Sequence, residues 1–140
     1  KLRENMGWFY YRFNQGESGA DVYERVSVIL DEIMEEKNEK VVIVTHGLTL
    51  RIMLMKLLNL TVEEYECLKN PENASVTTVY TAASLEIYEH EKKAGNTLPL
   101  LGVNKYNGSV ACSQIEKYVK TPFDFEKAFA ERAELIKKSM

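Results

Sequence analysis

The chain is 140 residues long, with 45 % apolar and 28 % charged residues, which suits one ordinary globular domain better than two. Its formal charge is −3, against a nucleic-acid binder, because phosphate neutralisation needs a basic surface; a local basic pocket stays open. No apolar run reaches the roughly 18 residues of a membrane span, since Arg51 and Lys56 break the longest one. Cys67 and Cys112 are the two cysteines, and without a visible signal peptide they read as reduced thiols in a cytoplasmic protein. The first residue is Lys1 and not methionine, so an upstream segment is expected.

Residues 1–15 are rich in aromatic side chains but follow no period, and read as irregular structure. Ser18 then caps a helix, with Asp21 three residues on as in a capping box. Val22, Val26, Ile29, Leu30 and Ile33 give it an apolar face to about Lys37, and Glu24, Asp31, Glu32 and Glu35 give it an acidic one. Residues 41–44 are a run of four β-branched apolar side chains, the pattern of a strand buried on both faces. Residues 48–58 are apolar nearly all round and predict a buried helix, and Thr61 with Glu64 predicts another helix start.

Residues 70–75 form a turn cluster. Residues 75–82 and 84–91 carry strand signals and suggest a hairpin at a sheet edge. Residues 92–107 read as loop. Thr121-Pro122 opens a last amphipathic helix through residue 138, with Phe125, Ala128, Phe129, Leu135 and Ile136 as its apolar positions. The order of elements gives an α/β layered fold with few strands.

His46 falls where the expected strand ends and the buried helix begins. Ligands of open α/β sheets bind outside the carboxyl ends of strands. Gly47 permits a close backbone approach, and the N–H groups of Leu48, Thr49 and Leu50 open the helix, a natural anion site beside the imidazole. A histidine paired with a helix end suits phosphoryl chemistry. A core histidine bonded to a carbonyl is the plainer alternative, and His90, among Glu89, Glu91 and Lys92, reads as a solvated surface residue. Two carboxylates stand apart from the charge runs. Glu4 lies among Leu2, Met6, Trp8 and Phe9, an apolar neighbourhood that would favour its protonated form and fit it to give a proton. Glu17 precedes a helix cap, where its charge favours the dipole.

Four segments in order resemble the histidine phosphatase superfamily, also called phosphoglycerate-mutase-like. Residues 41–47 (VVIVTHG) and the apolar helix after them look like the second catalytic-histidine motif. Residues 2–8 (LRENMGW) resemble the proton-donor segment, which maps to Glu4. Residues 16–26 (GESGADVYERV), with Asp21 and Arg25, resemble the GES helix start, and residues 73–80 (NASVTTVY) the strand after the histidine helix. The match covers about residues 1–90. It implies a three-layer α/β phosphoglycerate-mutase-like fold, incomplete at the N-terminus. Residues 1–140 would be a single, partial domain, with 92–121 a family-atypical loop region and 122–138 a C-terminal helix.

The resemblance further implies a phosphatase acting on a small phosphomonoester or a phosphoprotein through a phosphohistidine. His46 and Glu4 would be catalytic, with Gly47, Leu48 and Glu17 at the substrate. No cofactor, metal, nucleic acid or membrane is implied. The family's nucleophile belongs to an Arg-His-Gly motif, and this sequence has none; its place in the family order is upstream of Lys1. A cofactor-dependent phosphoglycerate mutase and an inactive phosphate- or partner-binding pseudophosphatase are the alternatives. In the latter, the last helix would be a docking element.

Overall fold

A computed structural model of the chain describes residues 1–36 and 40–81, two strands at residues 100–102 and 110–112, and residues 127, 130, 131, 134 and 138. Four helices come first: α1 (Leu2–Met6), α2 (Gly19–Glu35), α3 (Gly47–Leu57) and α4 (Val62–Glu66). Three short strands follow, β1 (Val79–Thr81), β2 (Leu100–Gly102) and β3 (Val110–Cys112).

α2 starts where its capping chemistry dictates. Ser18 accepts from the Asp21 N–H, and the Asp21 carboxylate accepts from the Ser18 N–H, so two orphan donors are satisfied together. Val22, Val26 and Leu30 are buried on its inner face, while Ile29, at the margin of the stripe, is exposed. α4 repeats the device with Thr61 and Glu64, whose bonds are 3.2 and 2.7 Å. α3 buries nearly all of its length: Ile52, Met53, Leu54, Met55 and Leu57 join Val22, Val26 and Leu30 in one cluster. An ion pair from Lys56 Nζ to Asp31 Oδ1, at 3.9 Å, ties α3 to α2 at the edge of that cluster.

The segment read as irregular contains a single helical turn, α1, with no buried residue and no side-chain cap. A turn that packs nothing leaves no hydrophobic period in the sequence, which is why pattern reading passes over it. Gly7, at φ 78°, ends the turn, in a region that L side chains avoid. Phe9 then anchors the segment. Its ring meets Tyr65 and Tyr23 edge-on at centroid distances of 5.5 and 6.1 Å, and its N–H donates to Glu66 Oε1 at 2.8 Å. Edge-to-face pairs of this kind add to the gain from burial itself.

Residues 41–44 depart from expectation. They form no strand, and Val42 and Val44 are 89 % and 95 % exposed. A run of β-branched residues states a preference for a pleated, covered surface. Among the described residues no strand lies alongside to provide one. The sheet is built elsewhere, in the order β1-β3-β2, with both pairings antiparallel and Cys112 opposite Val79 on one side and Leu100 on the other.

β1 lies inside the first strand-like segment, but its partner is β3. The second arm of the expected hairpin, residues 84–91, falls with His90 outside the described residues. β2 lies within residues 92–107 and β3 within the broader loop region 92–121, so strands occupy part of a stretch read as loop. Apart from Lys127, Ala130, Glu131, Glu134 and Lys138, the expected C-terminal helix also lies outside the described residues. Those five are helical and exposed, with Lys127, Glu131, Glu134 and Lys138 three or four apart and Ala130 beside Glu131, as on one solvated face.

Candidate active site

His46 is the N-cap of α3. Its backbone is extended, at φ −105° and ψ 161°, and its carbonyl accepts from the Leu50 N–H at 2.8 Å. That bond corrects the expected set of open amides. Leu50 is the first residue whose donor finds a carbonyl four positions back, so the amides without an intrahelical partner are those of Gly47, Leu48 and Thr49. No side chain caps this end, and the first turn carries no acidic residue. α2 and α4 differ, for Asp21 and Glu64 each bring a carboxylate to their own N-terminus. The positive end of the α3 dipole therefore has no carboxylate of its own turn to offset it. The imidazole above it is exposed. A histidine that precedes three amides lacking intrahelical partners brings together in sequence the donors that suit a phosphoryl group.

The structure brings Gly47 and Leu48 to His46 as neighbours in the first turn. It holds the two carboxylates by other means. Glu4 sits on the exposed turn α1, whose position is set by Phe9 packing on Tyr65 and Tyr23. The apolar enclosure expected around it does not form, since Leu2 and Met6 are themselves exposed. Arg3, beside Glu4, lies over the Trp8 ring at 3.3 Å and 4.8 Å from the Phe13 ring centre. Glu17 is engaged by Arg25 through two bonds of 3.1 Å.

Two residues escaped the sequence reading. Arg51 is only 5 % exposed. Its Nη1 donates to the Leu68 carbonyl at 3.1 Å, its guanidinium carbon lies 5.3 Å from the Tyr65 ring centre, and its Nε has no hydrogen-bond partner. A signal was present, because one arginine inside a helix apolar on every side must find an internal acceptor. Asn70 is the second. Its side chain rests against Gly47, a contact that no local pattern announces. Among the described residues, no group of three or more His, Cys, Asp or Glu could hold a metal ion, and no helix is long and apolar enough to cross a membrane.

An exposed histidine thus caps a buried helix whose first amides lack intrahelical partners, an arrangement of the kind that receives anions. The model of the histidine phosphatase superfamily (branch 1) matches residues 2–90. The chain belongs to that superfamily, which implies an α/β fold of the phosphoglycerate-mutase-like kind. It is 41 % identical over 87 residues to the phosphoglycerate mutase-like protein AT74 of Arabidopsis thaliana, covering 54 % of this chain and 28 % of that one. It is 36 % identical over 96 residues to the broad-range acid phosphatase DET1 of Saccharomyces cerevisiae, covering 63 % and 29 %. A second Arabidopsis thaliana protein, the phosphoglycerate mutase-like protein AT74H, is 40 % identical over 97 residues, covering 61 % and 34 %. The matches thus span about a third or less of each relative. No solved structure matches the chain.

Proposed function

We propose that the chain supplies part of the site of a phosphatase that hydrolyses phosphomonoesters, small or protein-borne, through a phosphohistidine. The observation that carries this reading is His46 as the N-cap of α3, with the amides of Gly47, Leu48 and Thr49 open beneath it. His46 donates to a phosphoryl oxygen, and the amides take up the charge that grows on the equatorial oxygens in the transition state. Glu4 protonates the leaving oxygen as the bond to phosphorus breaks, and its carboxylate then takes a proton from the water that cleaves the phosphohistidine. Glu17, held by Arg25, borders the substrate. The nucleophile is not among these residues, because they contain no Arg-His-Gly; a histidine from the rest of the protein fills that role. The fuller three-layer arrangement around α3 and a cytoplasmic setting belong to the same proposal. The similarity to an acid phosphatase supports hydrolysis, and the two phosphoglycerate mutase-like relatives keep isomerisation as the alternative.

The test is release of phosphate from an aryl phosphate by the whole protein. His46→Ala is expected to abolish it. Activity unchanged within about twofold would remove His46 from the chemistry. Isomerisation of 3-phosphoglycerate without phosphate release would replace the phosphatase reading with the mutase one.

A further inference from the structure

We propose that Asn70 is a positioning residue for His46, acting through the space that Gly47 leaves at the start of α3. A Cβ on residue 47 would stand 2.9 Å from Asn70 Cγ, 3.0 Å from Oδ1 and 3.1 Å from Cβ. The first is shorter than Cβ contacts run and the other two are tight, so a Cβ there would push the Asn70 side chain from its place. The glycine is not required by its own backbone, which lies outside the positive-φ region. In a helix it costs stability relative to alanine. The contact that uses the missing Cβ is the one with Asn70.

The segment bearing Asn70 is itself fixed to the histidine helix. Arg51, five residues after His46, is buried and donates to the Leu68 carbonyl, two residues before Asn70. The Leu68 N–H donates to Tyr65 O at 2.9 Å, and the Cys67 N–H to Glu64 O at 3.1 Å, so the chain leaves α4 in a set direction. Leu68 is fully buried. Asn70 thereby becomes a stop placed against the first turn of α3 from outside the helix. His46 has no side-chain capping bond of its own, so beyond the Leu50 N–H on its carbonyl the turn beneath it depends on packing. A site gains from a first turn held in one place, because small displacements of reacting groups are costly.

This role rests on the phosphate reading for its purpose, but it can be measured without ligand. His46 and His90 are the only histidines, so His90→Gln assigns the His46 ring signal in a proton–carbon NMR spectrum of the 140-residue chain. Asn70 is exposed, so Asn70→Gly should move the midpoint of thermal unfolding by no more than about 2 °C. It should nonetheless shift and broaden the His46 signal. Gly47→Ala should disturb the same signal. Gly47→Ala combined with Asn70→Gly should regain the folded stability but not the wild-type His46 signal. A His46 signal in Asn70→Gly that overlays the wild type overturns the proposal.

Inorganic phosphate then separates the two readings. Wild-type His46 should respond, and Asn70→Gly should need about tenfold more phosphate for the same response. No response in the wild type, with an Asn70-dependent signal, removes the phosphate reading and keeps the positioning role. Equal responses in both proteins remove the positioning role.

Discussion

Arg25 grips Glu17 with two atoms of its guanidinium, Nε to Oε1 and Nη2 to Oε2, both at 3.1 Å. The fork-to-fork geometry is the strong form of such a pair, and Glu17 keeps Arg25 more firmly protonated than usual, first through these bonds and then through its charge. Both side chains are about half exposed, however, and water screens much of the attraction. The bond sets direction more than stability: it fixes the carboxylate of the residue before the Ser18 cap.

Arg25→Ala, Glu17→Ala and the double variant should therefore share nearly the same urea midpoint, with no coupling between them at moderate salt. If Glu17 borders the substrate, the same three variants raise KM for an aryl phosphate while kcat holds. Equal KM values throughout would make the pair purely a surface feature.

The α2 cap should matter more. Ser18→Ala removes the acceptor of the Asp21 N–H and is expected to cost about 1 kcal/mol in urea unfolding. The cap also gives an acid limb. The Ser18 N–H, then its hydroxyl, then Arg12 hold the Asp21 carboxyl below its ordinary 3.8. A group lowered in the folded state stabilises at pH values above its unfolded pKa, and that contribution is lost as pH falls through the folded value. Asp21→Asn should flatten the loss of stability below about pH 4; an unchanged acid limb would count against this assignment.

Arg51 and Tyr65 make the opposite case, two buried polar groups that are incompletely paired. Arg51→Met strips the donor from the Leu68 carbonyl and should cost about 1–3 kcal/mol. Tyr65→Phe should be neutral or slightly stabilising, since the phenol oxygen has no hydrogen-bond partner. Burial raises the Tyr65 pKa above 10.0, with Arg51 pulling the other way. Above pH 10 the unfolded chain sheds a proton that the folded chain keeps. Stability is thus intact below pH 10 and falls as pH rises through the folded value. Tyr65→Phe should reduce that alkaline decline in a series of urea titrations.

What could be read from the sequence was whatever short-range chemistry decides. Ser18 with Asp21 and Thr61 with Glu64 mark helix starts because cap and partner lie three residues apart. Gly47 after His46 is equally local. α1 was hidden because it buries nothing, and β2 because three residues are too few to show a period. Residues 41–44 differ from expectation for another reason: their composition describes the surroundings a strand would need and not whether the described residues provide them. Asn70 against Gly47 spans 23 residues of chain, so no window along the sequence could reveal it. The proposed role of His46 came from order among four weak motifs, and the open amide end was expected one residue too late, at Leu48 to Leu50 rather than Gly47 to Thr49; the exposure of the ring had to be seen.

The bare valines of residues 41–44 also carry a practical consequence. A run of exposed β-branched apolar side chains outside any strand among the described residues is a template for growth by like-with-like strand addition. The purified chain should become turbid or sediment as larger species as its concentration rises, and thioflavin fluorescence should rise with it. Val42→Lys places a charge on the template at a side chain that already faces water, and should raise the solubility limit while leaving α2 and α3 intact by circular dichroism.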